Sequence, residues 1–276
     1  MAGCSGAAAP YTSDADTGST HAIVTIERRD FVAGGDVQAR AFASFVRTPP
    51  EVDISMVMRA TGLDLALPEA SECNLGASTA RDPSIPPSAM RRVELLSVGR
   101  VTLDTPNGRV ELAPRAFPAV TDLVAGVVYT TRERVAALPT GEAYAISTAG
   151  SGTLPALNFS SEAPAALQGV AIAGVPFGQD SALSALGSEI SWLPGTSKDH
   201  VYVTLSDGQS TRTCAFRDEA GRGFIPASAI PQAEVVAVGV HRLRSLPLNG
   251  NSGMGIDAGE LRFDFELLGS VGVVDR

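Results

Sequence analysis

The chain has 276 residues, 44% of them hydrophobic and 18% charged, enough to bury two ordinary cores and too apolar to stay unfolded. Its net charge of −9, with no basic run longer than pairs such as Arg28-Arg29 and Arg91-Arg92, argues against nucleic acid as a partner. Aromatic residues make up only 5%, too few for a stacking platform, and no stretch reaches the roughly 18 apolar residues of a membrane-spanning helix.

The chain opens Met1-Ala2-Gly3-Cys4-Ser5-Gly6, and residues 5–20 are almost entirely Ala, Gly, Ser, Thr, Asp and Pro. Such a composition cannot form a core and behaves as a flexible tether. Small residues before a cysteine resemble the end of a bacterial lipoprotein signal, in which the cysteine becomes the lipidated first residue. That resemblance implies lipidation at Cys4, membrane attachment through the acyl chains, and a mature chain starting near this point. Each buried methylene contributes about 0.8 kcal/mol, and stable attachment takes more than one acyl chain. Ser5 after the cysteine, as in enterobacterial lipoproteins, implies the outer membrane. Asp14-Ala15-Asp16-Thr17-Gly18 begins like a calcium loop but lacks the later ligands, so it reads as linker.

Beyond the tether, period-two alternation recurs and helical periodicity does not. Asp53 to Met58 reads as a strand with Ile54, Met56 and Met58 on one face. Val101 to Leu112 reads as a hairpin turning at Asn107-Gly108, with Val101 and Leu103 sharing a face with Val110 and Leu112. Thr131 to Leu138 and Asp180 to Leu186 are the only short helix candidates. His200 to Leu205 is a strand that turns at Asp207-Gly208 and returns through Thr211 to Phe216. Leu261 to Glu266 alternates between an apolar and a charged face, as a half-buried antiparallel strand does. With 28 Gly and 18 Pro as punctuation, the expected fold is all-β: two β-sandwich, immunoglobulin-like domains after the tether.

The stretch from Cys73 through Ile85-Pro86 to Val93 parallels that from Cys214 through Ile225-Pro226 to Val235. This weak repeat divides the chain into a tether over 1–20, one sandwich over 21–168 and a second over 169–276. Glu189 to Gly195, with Trp192, resembles the early Trp-bearing strand of fibronectin-type sandwiches. Leu193-Pro194-Gly195, Cys214 to Ala229, Gly141 to Tyr144 and Gly150 to Pro155 together resemble envelope lipoproteins abundant in myxobacteria. The resemblance implies location and fold, and no chemistry. Cys73 and Cys214 have two readings, a disulfide in an oxidising envelope or buried thiols. Equivalent positions in separate units favour unpaired thiols.

Catalytic patterns are missing from the linear sequence. His21, His200 and His241 have no second ligand at metal spacing and read as strand-edge or solvated side chains. Gly250 to Gly255 resembles a serine-protease nucleophile loop with Asn251 in place of Asp, and Gly150-Ser151-Gly152 lacks the lysine of a phosphate loop. Asp218-Glu219 reads as a solvated turn. Asn158-Phe159-Ser160 fits a glycosylation sequon, incidental in a bacterial protein. The reading is therefore a non-enzymatic envelope lipoprotein that needs no cofactor and engages a protein partner. Its rivals are a lipid-anchored hydrolase, which requires a histidine or carboxylate pair aimed at one point, and a glycan-binding module, which requires exposed rings such as Tyr144, Trp192 and Tyr202.

Overall fold

The computed structural model describes residues 18–50, 52, 54–61, 67–74, 93–117, 124–131, 138–248 and 255–275. Cys4, the 14–18 acidic stretch except Gly18, the first Ile-Pro step of the repeat and residues 249–254 of the serine loop lie outside them, as do residues 132–137 of the first helix candidate.

The protein is all-β apart from one α-helix and two single 3-10 turns among the described residues. The first unit begins with β1 (Ser19–Phe31) and β2 (Gln38–Thr48), a long antiparallel pair. β2 continues to β4 (Val93–Leu95) and β7 (Val124–Thr130), which pair with each other in parallel. The sheet then passes through β6 (Gly108–Phe117) to β5 (Val101–Thr105), β8 (Ala143–Thr148) and the edge strand β9 (Asn158–Glu162). β6 belongs to both halves, so the sheet folds over itself as a sandwich. Ala22, Val24, Ile26 and Phe45 on one wall meet Val101, Leu103, Leu112, Tyr144 and Ile146 on the other.

In the second unit, β14 (Asp199–Ser206) and β15 (Thr211–Arg217) join β17 (Val235–Pro247) and β18 (Ala258–Val274). Facing them is a separate four-stranded sheet of β11 (Val175–Pro176), β10 (Ala171–Ile172), β13 (Gly187–Ser191) and β16 (Arg222–Pro226). Ile172, Ile190, Ile225 and Trp192 close on Val201, Val203, Leu205, Val236, Val238 and Val240. Two sheets with an apolar filling make this a β-sandwich in the immunoglobulin manner.

The core changes hands between Ala163, in the first, and Val170, in the second. The C-terminal strand does not respect that division. β18 pairs in parallel with β1 from Ala258 to Leu268 and antiparallel with β17 along its length. Its Leu261, Phe263 and Phe265 fill the first core, and Val271 the second. One strand therefore runs through both sandwiches.

Two local expectations are overturned, and a third is borne out with its turn shifted by one residue. Residues 54–61 form α1 (Ile54–Thr61), in which Val57 is buried beside Val46, Val52, Val93 and Leu95; Ile54 and Met58 also lie on this turn, a spacing compatible with either period. Asp180 to Leu186 is not helical, because β12 (Ala182–Ser184) extends along the end of β18. The 101–112 hairpin forms with the expected partners, Val101 to Leu112 and Leu103 to Val110. Its loop residues, however, are Pro106 and Asn107, and Gly108 carries the positive φ of +125° where the strand resumes. Proline's fixed φ suits the first position of such a turn.

Candidate functional site

Read across the sheet on its outer face, β15, β14, β17, β18, β1 and β2 align Ala215, Tyr202, His241, Glu266, Arg29 and Gln38 in one row. The next row on the same face carries Leu243, Asp264, Glu27 and Arg40. Successive strand residues point to opposite faces, so this face gathers polar side chains while the reverse face supplies the cores. The rows border a groove of about 440 Å³ lined by Glu27, Arg29, Gln38, Arg40, His241 and Glu266 among others.

His241 sits at its base, buried, on an interior strand. The expectation of a strand-edge or solvated histidine fails for this residue, because its polar partners come from neighbouring strands. Its ring stacks on Tyr202 with centroids 4.1 Å apart and planes 13° from parallel. Nδ1 lies 3.0 Å from Asp264 Oδ1, and Nε2 lies 3.4 Å from Thr204 Oγ1 and 3.5 Å from Glu266 Oε1. The Tyr202 hydroxyl donates to Asp264, and Arg29 Nε donates to Glu266. Burial, then the adjacent Asp264 charge, pushes the Tyr202 hydroxyl well above the ordinary tyrosine range, so it remains a donor. Gly239 leaves the space for this arrangement: a Cβ there would stand 2.6 Å from both Glu266 Oε1 and Thr204 Oγ1. At the rim, Arg40 pairs with Glu27, and the Arg29 and Arg40 side chains are 47% and 71% exposed.

A second polar group lies on the other face of β17. Val236, Val238 and Val240 point into the second core, and the same face continues to Arg242 and Arg244 at the junction of the two cores. Arg242 Nη2 donates to Asp218 Oδ1 at 3.0 Å and to the Leu193 carbonyl at 2.6 Å, while Nη1 donates to the carbonyls of Ala165 and Ala166. Arg244 forms a two-point pair with Asp199 at 2.6 and 2.9 Å and donates to the Glu162 carbonyl at 2.8 Å. Asp218, expected in a solvated turn, is fully buried, and its Oδ2 accepts the Gly195 N–H. These arginines bind the connection between the units rather than any open space, and their role is architectural.

No family model and no curated protein matches this chain. Among 29 similar solved chains is a two-domain fibronectin type-III segment of chicken tenascin, 11% identical, covering 90% of this chain and 97% of that one, with a TM-score of 0.24. A score of that size carries no functional inference, and the sandwich architecture stands on the strand pairing and the two cores.

The sequence-derived site residues distribute as follows. Cys73 and Cys214, favoured as free thiols, are bonded to each other. The repeat misplaces Cys73: its two-residue strand β3 (Cys73–Asn74) is added to the edge of β15, opposite Cys214, so the two are neighbours rather than equivalents. His200 is exposed and sits opposite Leu243 in the row next to that of His241, while His21 lies 3.3 Å from Thr48 Oγ1, far along the sheet. Tyr144, Trp192 and Tyr202, the rings on which a glycan platform would rest, are all buried. Tyr144 donates to the Pro139 carbonyl and Trp192 Nε1 to the Asp218 carbonyl. The His241 cluster was missed because its members are scattered over five strands. One signal was present: His241-Arg242-Leu243-Arg244 interrupts an otherwise apolar strand, and Arg262, Asp264 and Glu266 interrupt its neighbour.

Proposed function

We propose that this chain is a non-enzymatic module of the bacterial cell envelope, held to the outer membrane through lipidated Cys4, that engages a protein partner across the charged face of β1, β2, β17 and β18. The observation that carries this reading is the way the groove's polar groups are spent. Both ring nitrogens of His241 are engaged, Asp264 is held by Tyr202, and Glu266 is held by Arg29. A hydrolase of the nucleophile–histidine–carboxylate kind also pairs its histidine with a carboxylate, but it keeps the hydroxyl beside Nε2 open to substrate, whereas Thr204 lies outside the residues lining the groove. The polar groups at the base of the groove are satisfied within the sheet, and the rim, where Arg29 and Arg40 stay 47% and 71% exposed beside their own carboxylate partners, is left with Gln38 to meet a partner. Such partly exposed charges steer encounter and fix register. The Cys73–Cys214 bond supports residence in an oxidising compartment.

The test places a photo-crosslinking residue at Gln38 in cells making the protein with its native leader. A discrete protein adduct is expected, lost when Arg29 and Arg40 are changed to Glu and displaced from the membrane fraction by Cys4→Ala. Adducts indifferent to those charges would refute the groove as the contact surface. Cleavage of envelope polymer by the purified protein, abolished in His241→Gln, would put the lipid-anchored hydrolase in its place.

A further inference from the structure

The segment from Leu67 to Asn74 joins the sheet by few contacts. The Ser71 N–H donates to the Ala215 carbonyl at 2.7 Å, and the Ala215 N–H donates to the Glu72 carbonyl at 3.0 Å. β3 adds two paired positions on β15, and the disulfide fixes one of them. Cys214 points into the second core, whereas Leu67 lies on the opposite face of the sheet against Tyr202, Ala215 and Leu243. The segment is therefore a strap that bends round the β15 edge. At the bend Ser71 has a φ of +75°, a conformation that residues with a side chain adopt at a cost and keep only where surrounding contacts impose it.

What the strap covers is the end of the polar row. Tyr202 stacks directly on His241, which lines the groove, and Leu243 is two residues along the same strand face, so Leu67 covers apolar surface immediately beside the groove. Cys214 is fully buried while Cys73 is only half-buried on a two-residue edge strand, so Cys73 is the better placed of the two to meet an incoming thiolate.

We infer that the Cys73–Cys214 bond is a redox catch on this strap, and that its reduction opens an aromatic and apolar extension of the groove formed by Tyr202 and Leu243. The inference rests on the groove being the recognition face. A dithiol reductant of the thiol–disulfide oxidoreductase class supplies the electrons. One of its thiolates attacks Cys73 Sγ, the S–S bond breaks, and Cys214 leaves as a thiolate that takes up a proton. The second thiol of the reductant then resolves the mixed disulfide, releasing Cys73, which is protonated in turn. Two electrons have passed to the protein, and the reductant ends as its own disulfide. Freed of the bond, the strap is held, among the described residues, by its hydrogen bonds to β15 and the packing of Leu67, and Ser71 relaxes.

The experiment is hydrogen exchange of the full chain, read by mass spectrometry, with and without dithiothreitol at neutral pH. Reduction is expected under native conditions, with the Ser71 and Ala215 amides exchanging at least about tenfold faster while the β17 amides keep their protection. Cys73→Ser should reproduce that pattern without reductant. A bond that resists dithiothreitol until the protein unfolds, a loss of protection spread through both cores, or strap amides unchanged after reduction would each overturn the inference. Cross-linking from Gln38 is scored separately: its failure sinks the groove reading and leaves the strap result intact, and the reverse holds equally.

Discussion

Arg242→Ala is the substitution with the largest expected effect outside the apolar cores. It removes one member of a pair whose side chains are 2% and 0% exposed, leaving the Asp218 carboxylate with the Gly195 N–H as its remaining side-chain partner. It also strips the guanidinium from the carbonyls of Ala165, Ala166 and Leu193. Breaking a buried ion pair by deleting one partner costs about 3–5 kcal/mol, and each orphaned acceptor that water cannot reach adds to that. For a chain of this size the loss lowers the melting temperature by roughly 5–9 °C. Asp218→Asn can keep the Gly195 bond only by turning its NH2 towards Arg242, which loses its counter-charge, so it should cost a similar amount. A double-mutant cycle with Arg242→Ala should then show coupling of about 2 kcal/mol. Urea and thermal denaturation followed by circular dichroism supply all the terms. A cost below about 1 kcal/mol for Arg242→Ala would refute the assignment of this residue as the junction clamp. So would two separate unfolding transitions in the unsubstituted protein, since β17 and β18 tie both cores into one cooperative unit.

Three further outcomes follow from the same geometry. Gly239→Ala places a Cβ against Glu266, Thr204 and His241 Nε2, so the ring-current signature of the Tyr202–His241 stack in proton NMR should be lost while the cores persist. Gly126→Ala should be more costly: φ is +141°, and the new Cβ would lie 2.1 Å from the Leu95 carbonyl oxygen on the paired strand, which has no room to move. About 1–3 kcal/mol of destabilisation is expected by urea denaturation. In an alkaline absorbance titration, Tyr144 and Tyr202 should stay protonated where ordinary tyrosines ionise, because burial raises both. The sign of the linkage is fixed by that shift. Below about pH 10 both are neutral in folded and unfolded chains, and above it only the unfolded chain gains charge, so stability falls as pH rises. A titration in which both ionise with the native fold intact would contradict the burial.

The hairpin at 101–112 was legible because a proline–asparagine–glycine turn separates two short runs whose alternation fixes which residues meet. The strands at 200–216 were legible for the same reason, and Asp207 makes the turn itself by accepting the N–H groups of Gln209 and Ser210. The 54–61 helix was not, since eight residues sample too few turns to separate a period of two from one of 3.6. Leu261 to Glu266 shows a subtler limit. Its alternation places Leu261, Phe263 and Phe265 in a core, but a half-buried strand leaves its charged face to solvent unless another strand supplies partners. Whether Asp264 and Glu266 meet water or His241 depends on strand order, and β18 lies between β17 and β1, which are more than 200 residues apart in the chain. The disulfide was hidden likewise, because Cys73 pairs with a strand belonging to the other unit.

The parallel pairing of β1 with β18 has a mechanical consequence. The start of β1 lies beside Ala258, whereas the end of β18 at Val274 is carried to the far end of the second sandwich. Tension between these two points pulls the strands lengthwise past each other, so the bonds from His21 to Phe31 resist together in shear rather than opening one at a time. The side chains of Arg242 and Arg244 block a bend midway. Pulled in this direction, the molecule is a stiff strut that should yield in a single abrupt step.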